Sequence, residues 1–309
     1  MARWSVLVPV LLGVIVLALL FGGWTFFRHP LAVNAARERL TLRLSGFSLE
    51  KVPTSAGSLR AWVKGEGPCL VFLHGAGDQA GTWAAVAPAF TSGFRVVLLD
   101  LPGHGGSAPA AGPLPMGTVL SATREALAKL CTGETVVVGN SLGAWLACLL
   151  TAEPGLPLRG VVLVNGGPVR GHYLGPTLAP KDRAEARQVM RVLLGKAGER
   201  VPGFVLDDVV RAARRGPIPR LLAALNSWEP HLWGEEQLRG CQVPVLLAWG
   251  EEDGLFDRAY AEKLASSLPK ARLEWLAGCG HVPQRQCPEP LRKALAQWLP
   301  SVVGSGVAR

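Results

Sequence analysis

Thr135-Val136-Val137-Val138 leads directly into Gly139-Asn140-Ser141-Leu142-Gly143, and that pentapeptide into Ala144-Trp145-Leu146-Ala147-Cys148-Leu149-Leu150. The first run is short, β-branched and apolar, which reads as a buried strand; the last reads as a helix packed on a sheet. A serine at such a strand-to-helix turn, with glycines two positions before and after it, matches the nucleophile-elbow pattern G-x-S-x-G. The reason is steric. The turn strains the serine backbone and brings neighbouring backbone so close that only small residues fit at its flanks. In return the hydroxyl stands clear above the sheet, and the N–H of the next residue points toward a reacting carbonyl.

The rest of the chain supplies such a sheet. Leu31 to Arg39 reads as a short linker, and Leu40-Thr41-Leu42-Arg43-Leu44 alternates as a strand does. Leu59 to Val63 alternates similarly. Largely apolar runs follow at 69–73, 94–99, 136–138, 161–164 and 243–249, with a last strand at 272–276. Helical spacing covers 116–130, the stretch after Ser141, 260–268 and 290–299. Apolar strands alternating with helices predict a mainly parallel sheet covered on both faces. Between Gly166 and Gln242 only helix-like segments occur, at 181–194, 207–215 and 218–228. This stretch, about 167–240, is expected to be a helical cap that shields the strand ends from water.

Trp4 to Phe27 carries no charge. As a helix it would reach ~36 Å, enough to cross a ~30 Å hydrocarbon layer with some tilt. The expectation is an uncleaved single-pass anchor, with residues 1–39 as anchor and linker and 40–309 as the catalytic domain. A cleaved signal peptide is the rival, with Val33-Asn34-Ala35 a passable cleavage site, but its apolar core should be shorter. A buried core helix is the third reading. Arg28, Arg37, Arg39 and Arg43 after the span lean toward a cytoplasmic catalytic domain, while the short N-terminal tail permits the opposite insertion. The net charge of +9 comes without a Lys/Arg-rich run interleaved with aromatics, so no nucleic-acid partner is expected. Membrane lipid, or simply a solvated basic surface, accounts for it. The six cysteines show no metal-ligand spacing; most read as small core residues, and Cys279 as packing rather than a second reactive group. No metal and no cofactor is expected.

A serine nucleophile needs a base, an orienting acid and oxyanion donors. Of the six histidines, His281 lies in Gly278-Cys279-Gly280-His281-Val282-Pro283, a glycine-rich loop just past the last strand. It is the chosen base; the plain alternative is an exposed loop histidine. The acid should fall between serine and histidine in the chain. Asp253 in Gly250-Glu251-Glu252-Asp253-Gly254 is the choice, with Glu251, Glu252 and Asp257 competing, since spacing does not separate them. At least two of these acids should be merely solvated. The oxyanion donors expected are the backbone N–H groups of Leu142 and of Ala76, in His74-Gly75-Ala76-Gly77 after a strand. His74, His104 and Asp100 read as loop braces. Trp228, Leu232 and Trp233 are candidate pocket walls, with plain cap packing as the alternative.

Taken together, His74-Gly75-Ala76-Gly77, Asp100 to Ser107, Gly139 to Gly143, Gly250 to Asp253 and Gly280-His281-Val282-Pro283 resemble the α/β-hydrolase superfamily over most of residues 40–300. That resemblance implies an eight-stranded, mostly parallel sheet whose second strand is antiparallel, helices on both faces, a helical cap after the sixth strand, and a Ser141–His281–Asp253 triad. Asn140 before the serine is similar to hydrolases that cleave carbon–carbon bonds of aromatic ring-fission products, and also to many esterases. Two positions depart from the family pattern: Asp257 where a proline is common, and Gln286 where a glutamate is common. The reading reached from sequence is a membrane-anchored serine hydrolase of carboxylic esters, acting on a small-molecule or lipid-like acyl substrate. Its rivals are a carbon–carbon bond hydrolase, a cofactor-free haloperoxidase or acyltransferase, and a non-catalytic binding protein that kept the fold.

Overall fold

The computed structural model describes residues 4–171 and 177–304. Helices α1 (Trp4–Arg28) and α2 (Pro30–Leu44) precede a sheet built from β1 (Ser48–Thr54), β2 (Gly57–Lys64), β3 (Cys69–Leu73) and β4 (Arg95–Leu99). Helix α3 (Met116–Leu130) leads to β5 (Thr135–Asn140), and α4 (Leu142–Leu150) to β6 (Leu158–Val164). The insertion carries α5 (Arg183–Leu194), α6 (Gly203–Arg215), α7 (Pro217–Leu222) and α8 (Glu235–Gly240), with no strand among its described residues. Then come β7 (Val245–Gly250), α9 (Arg258–Ser267), β8 (Ala271–Leu276), α10 (Pro283–Gln286) and α11 (Pro288–Trp298).

The eight strands form one sheet in the order β1-β2-β4-β3-β5-β6-β7-β8. β2 runs antiparallel to both β1 and β4. Every other pairing is parallel. Parallel neighbours need long crossovers, and these place the helices on the two faces. β5 shows why its strand reads as an unbroken apolar run. Val137 joins the core formed with α3 and α4, while Val136 and Val138 join the core on the other face, with Trp83 and Trp298. Both faces are dry, so both side-chain parities are apolar. The parallel arrangement also brings the C-terminal ends of β3 to β8 to a single rim.

The N-terminal region differs from the sequence expectation. Leu31 to Leu44 is neither a linker nor a strand but the helix α2, opened by Pro30 in its first turn. Five alternating residues are too few to separate a period of 2 from one of 3.6, and Leu40 and Leu44 also stand four apart. The expected boundary at 39/40 falls inside α2. That helix is docked through buried Glu38 and Leu42. Glu38 accepts from Gln79 Nε2 at 2.7 Å and from Arg285 Nε at 2.7 Å. Arg285 also donates to both oxygens of Asp78, each at 2.8 Å. Burial opposes the Arg285 charge, but the two carboxylates outweigh it and raise its pKa. Helix α6 braces the α1–α2 joint: Phe204 lies 5.8 and 5.1 Å from the rings of Phe26 and Phe27, and Asp208 accepts from Leu31 N. Counting only residues whose side chains are described, no single helix is long and apolar enough to cross a membrane. Val14–Arg28 and Pro30–Leu44 reach that measure only together, as a pair bent by 107°.

The cysteines also require correction. Four of the six are not simple core residues: Cys69 is bonded to Cys131 and Cys279 to Cys287. Neither partner pair shows a short repeating motif, so sequence spacing gave no sign of them. Cys148 and Cys241 are the free, buried pair. Chain denatured without reductant should therefore offer two thiols to a maleimide, and six after reduction. Six reactive thiols before reduction would remove both bonds.

Candidate active site

Ser141 occupies the first position after β5 with φ 54° and ψ −113°, a conformation costly for a side-chain-bearing residue. The flanking glycines show what holds it there. A Cβ on Gly139 would stand 2.1 Å from the Gly143 carbonyl oxygen, and one on Gly143 would stand 2.3 Å from that of Leu73. Serine is a favoured helix cap, yet Ser141 makes no side-chain capping bond to α4. Its half-buried hydroxyl is left for other chemistry.

His281 lies in the loop after β8, and Asp253 in the loop after β7. Their side chains meet at 2.9 Å, His281 Nδ1 to Asp253 Oδ2, and both are almost completely buried. The other carboxylate oxygen of Asp253 accepts from the N–H groups of Leu255 at 2.8 Å and Phe256 at 3.2 Å. The acid is thus held in place from both sides, and it fixes the imidazole with Nδ1 toward the acid. The three competing acids are engaged elsewhere. Glu251 lies 3.8 Å from Arg258, Glu252 accepts from Lys196 N, and Asp257 caps α9 through Tyr260 N.

The loop 74–79 packs on the serine from the β3 side: a Cβ on Gly75 would be 3.2 Å from Ser141 Cβ. Neither Ala76 N–H nor Leu142 N–H donates to a backbone acceptor among the described residues. His74 braces this loop. Its Nε2 accepts from Leu101 N at 3.0 Å, so its Nδ1 carries the proton toward Gly75 O at 2.8 Å. Burial lowers the pKa of His74, and lowers that of His104, stacked 5.1 Å away, to about 3. Asp100 accepts from Ala80 N and Gly106 N, and its carbonyl accepts from Ser107 Oγ. All three act as loop braces. His29 stands at the α1–α2 joint, His231 at the edge of the cap, and His172 lies outside the described residues.

Several residues that matter here were not assigned a role from sequence. Asn140 donates from Nδ2 to the carbonyls of Val164, at 3.1 Å, and His281, at 3.0 Å, and its Oδ1 accepts from Gln284. Its amide is committed to holding the base loop against the serine turn. Asn165, at φ 49°, accepts from Gly250 N and donates to Gly280 O. The C-terminal end of α5 offers its free carbonyls to the same loops: Val192 O to Gly254 N, Leu193 O to His281 N at 2.7 Å, and Leu194 O to Gln286 Nε2. The Cys279–Cys287 bond brackets His281. Trp228 is buried edge-on to Trp145 of α4 at 5.4 Å, and Trp233 and Leu232 are half-buried. Both tryptophans pack with the core cluster on the α3–α4 face of the sheet.

Comparison with known proteins agrees with this architecture. A model of the alpha/beta hydrolase family matches residues 70–294. A pimeloyl-[acyl-carrier protein] methyl ester esterase of Aromatoleum aromaticum is 30% identical over 252 residues, covering 72% of this chain and 94% of that protein. An uncharacterised protein of Mycobacterium tuberculosis is 26% identical over 257 residues, 74% of this chain and 75% of its own length. Among solved structures, a bacterial membrane phospholipase A superposes with a TM-score of 0.75 at 22% identity, covering 95% of this chain and 98% of its own. Carboxylesterase CesB of Bacillus subtilis gives 0.72 at 18% identity, over 87% of this chain and 99% of its own.

Two outcomes follow from the geometry. D253N should lower kcat by about 10³–10⁴-fold, because the imidazole loses its fixed tautomer. E251Q, E252Q and D257N should stay within about tenfold of the parent in the same ester assay. The second concerns pH. An unfolded histidine binds a proton below about 6.5, whereas folded His104 stays neutral down to about 3. Its contribution to stability is therefore complete above pH 6.5 and is lost as pH falls toward 3, at up to ~1.4 kcal/mol per pH unit. Melting curves in detergent should converge for wild type and H104Q between pH 7 and 5; parallel curves would contradict this.

Proposed function

The chain belongs to the α/β-hydrolase family, and on that premise we propose that it is a membrane-anchored serine hydrolase of carboxylic esters, with Ser141, His281 and Asp253 as its triad. The observation that carries this reading is the buried 2.9 Å Asp253–His281 pair on the rim where the strained Ser141 turn also ends.

The steps are these. His281 Nε2 takes the Ser141 proton as Oγ bonds to the acyl carbon, and the carbonyl electron pair moves onto oxygen. The N–H groups of Leu142 and Ala76 stabilise that oxyanion; losing one such donor typically costs ~10²–10³ in rate. Asp253 stabilises the imidazolium. The tetrahedral centre then expels the alcohol, which takes the proton from His281. Water, deprotonated by His281, attacks the acyl-enzyme and releases the acid with Ser141 restored. Asn140 has a structural task, so its presence before the serine no longer favours carbon–carbon cleavage over ester hydrolysis.

An ester with an extended acyl group is the favoured substrate. Support comes from the acyl-carrier methyl ester esterase at 30% identity. The anchor reading rests on the charge-free stretch Trp4 to Phe27 of α1 and on its exposed leucines, valines and phenylalanines. The membrane phospholipase A match adds to it, since 95% coverage must extend into α1 or α2. Two disulfides favour placing the catalytic domain on the oxidising side of the membrane. That outweighs the lean drawn from the arginines after the span.

A fluorophosphonate probe should label wild type and leave S141A unlabelled; equal labelling would refute the nucleophile. Hydrolysis of p-nitrophenyl esters should extend to acyl chains well beyond acetate, and activity confined to acetate would exclude the extended substrate. Alkaline carbonate should leave the full chain in the membrane pellet, and its release would remove the anchor.

A further inference from the structure

A basic cleft opens beside α2. Its volume is about 280 Å³, and Arg39 and Arg43 of α2, Arg60 of β2, Leu40, Leu49 and the Trp62 indole are among its walls. It sits at the β1–β2 edge of the sheet, while Asp253 and His281 follow β7 and β8 at the opposite edge.

Among the described residues none of the three guanidinium groups takes part in an ion pair, unlike Arg95 with Glu50, Arg159 with Glu134 and Arg183 with Asp207, although other arginines such as Arg37 and Arg220 share that freedom. The one acid in the cleft, Asp100, already accepts from two backbone N–H groups. Two of the three arginines pack against neighbours. The Arg60 guanidinium lies against Gly106, where a Cβ would come within 2.4 Å of it. Arg43 sits over the Trp62 ring at 5.9 Å, and Trp62 is itself buried. Guanidinium groups lining one cleft suit a phosphate, whose free oxygens accept paired N–H bonds from such a fork.

The surroundings indicate where that phosphate comes from. Leu40 and Leu49 border the cleft and are 54% and 38% exposed. If α1 runs along the membrane normal, the 107° bend lays α2 close to the membrane plane and tilts it slightly back toward the bilayer. Arg39 and Arg43 then lie at headgroup depth with leucines beside them. On the oxidising side of the membrane these arginines run against the usual charge bias, and a lipid-binding task gives them a reason to be there. We propose that this cleft binds the phosphate of an anionic phospholipid, separately from the catalytic centre. The assignment of source rests on the anchor reading above.

Native mass spectrometry of the full chain in detergent tests it with added phosphatidylglycerol or phosphatidylcholine. Wild type should retain one phosphatidylglycerol about tenfold over phosphatidylcholine, and R39Q/R43Q should lose that preference while R37Q keeps it. R39K/R43K, with charge but no fork, should fall between. Melting temperatures serve as the folding control. Equal retention of the two lipids by wild type, or unchanged preference in a folded R39Q/R43Q, would overturn the proposal. So would stabilisation by inorganic phosphate with no phosphatidylglycerol retained, which would make the ligand a soluble anion. Carbonate extraction reads the anchor independently, so its failure is distinguishable from failure of the cleft.

Discussion

Two buried asparagine side chains hold the rim together. Asn140 joins the end of β5 to the base loop, and Asn165 joins the end of β6 to both the acid strand and the base loop. Parallel strands deliver their loops to one edge, but they do not fix the distance between loops. These amides do. Each satisfies backbone groups that burial would otherwise leave unpaired, at a cost of ~1–3 kcal/mol apiece. The register of base against serine is therefore coupled to the stability of the sheet edge itself.

The cap contributes in the same currency of backbone pairing. A helix ends with four carbonyls that have no partner within it. Those of Val192, Leu193 and Leu194 are spent on Gly254, His281 and Gln286. Helix α5 is thus more than a roof over a pocket, since its last turn completes the hydrogen bonding of the acid and base loops. A movement of the cap that pulled α5 outward would free the His281 N–H and the Gly254 N–H together.

The sheet and the serine turn were legible because their signals are local. Val136 to Val138 and Gly139 to Gly143 state strand, turn and nucleophile within ten consecutive residues, and Met116–Leu130 gave a helix whose ends coincide with those observed. The loop position of His281 past the last strand was likewise legible. Asp253 was separable from Glu251, Glu252 and Asp257 only in three dimensions, because all four sit within one loop and chain order treats them alike. The clasp residues were illegible for a related reason. Asn140, Asn165 and Arg285 act on groups 24 to 247 positions away, and no periodicity records such partners. Helix α2 failed through brevity, its five-residue alternation fitting either period. The disulfides failed because neither the Cys69–Cys131 separation of 62 residues nor the Cys279–Cys287 separation of 8 belongs to a recognisable motif.

The N-terminal helices bear on catalysis through one side chain. Arg285 pairs at once with Glu38 of α2 and with Asp78 of the loop that carries Ala76, and it belongs to α10, immediately beyond the His281 loop. Helix α2, the loop that carries Ala76 and the His281 loop are thereby tied to one another. Phe204 of the cap meets Phe26 and Phe27 at the end of α1, so the cap is fixed to the same joint. Under the proposed anchoring, a flexible linker would only raise the local concentration of enzyme near lipid. A helix that ends in α2 would in addition set the angle of the Ser141 rim to the bilayer.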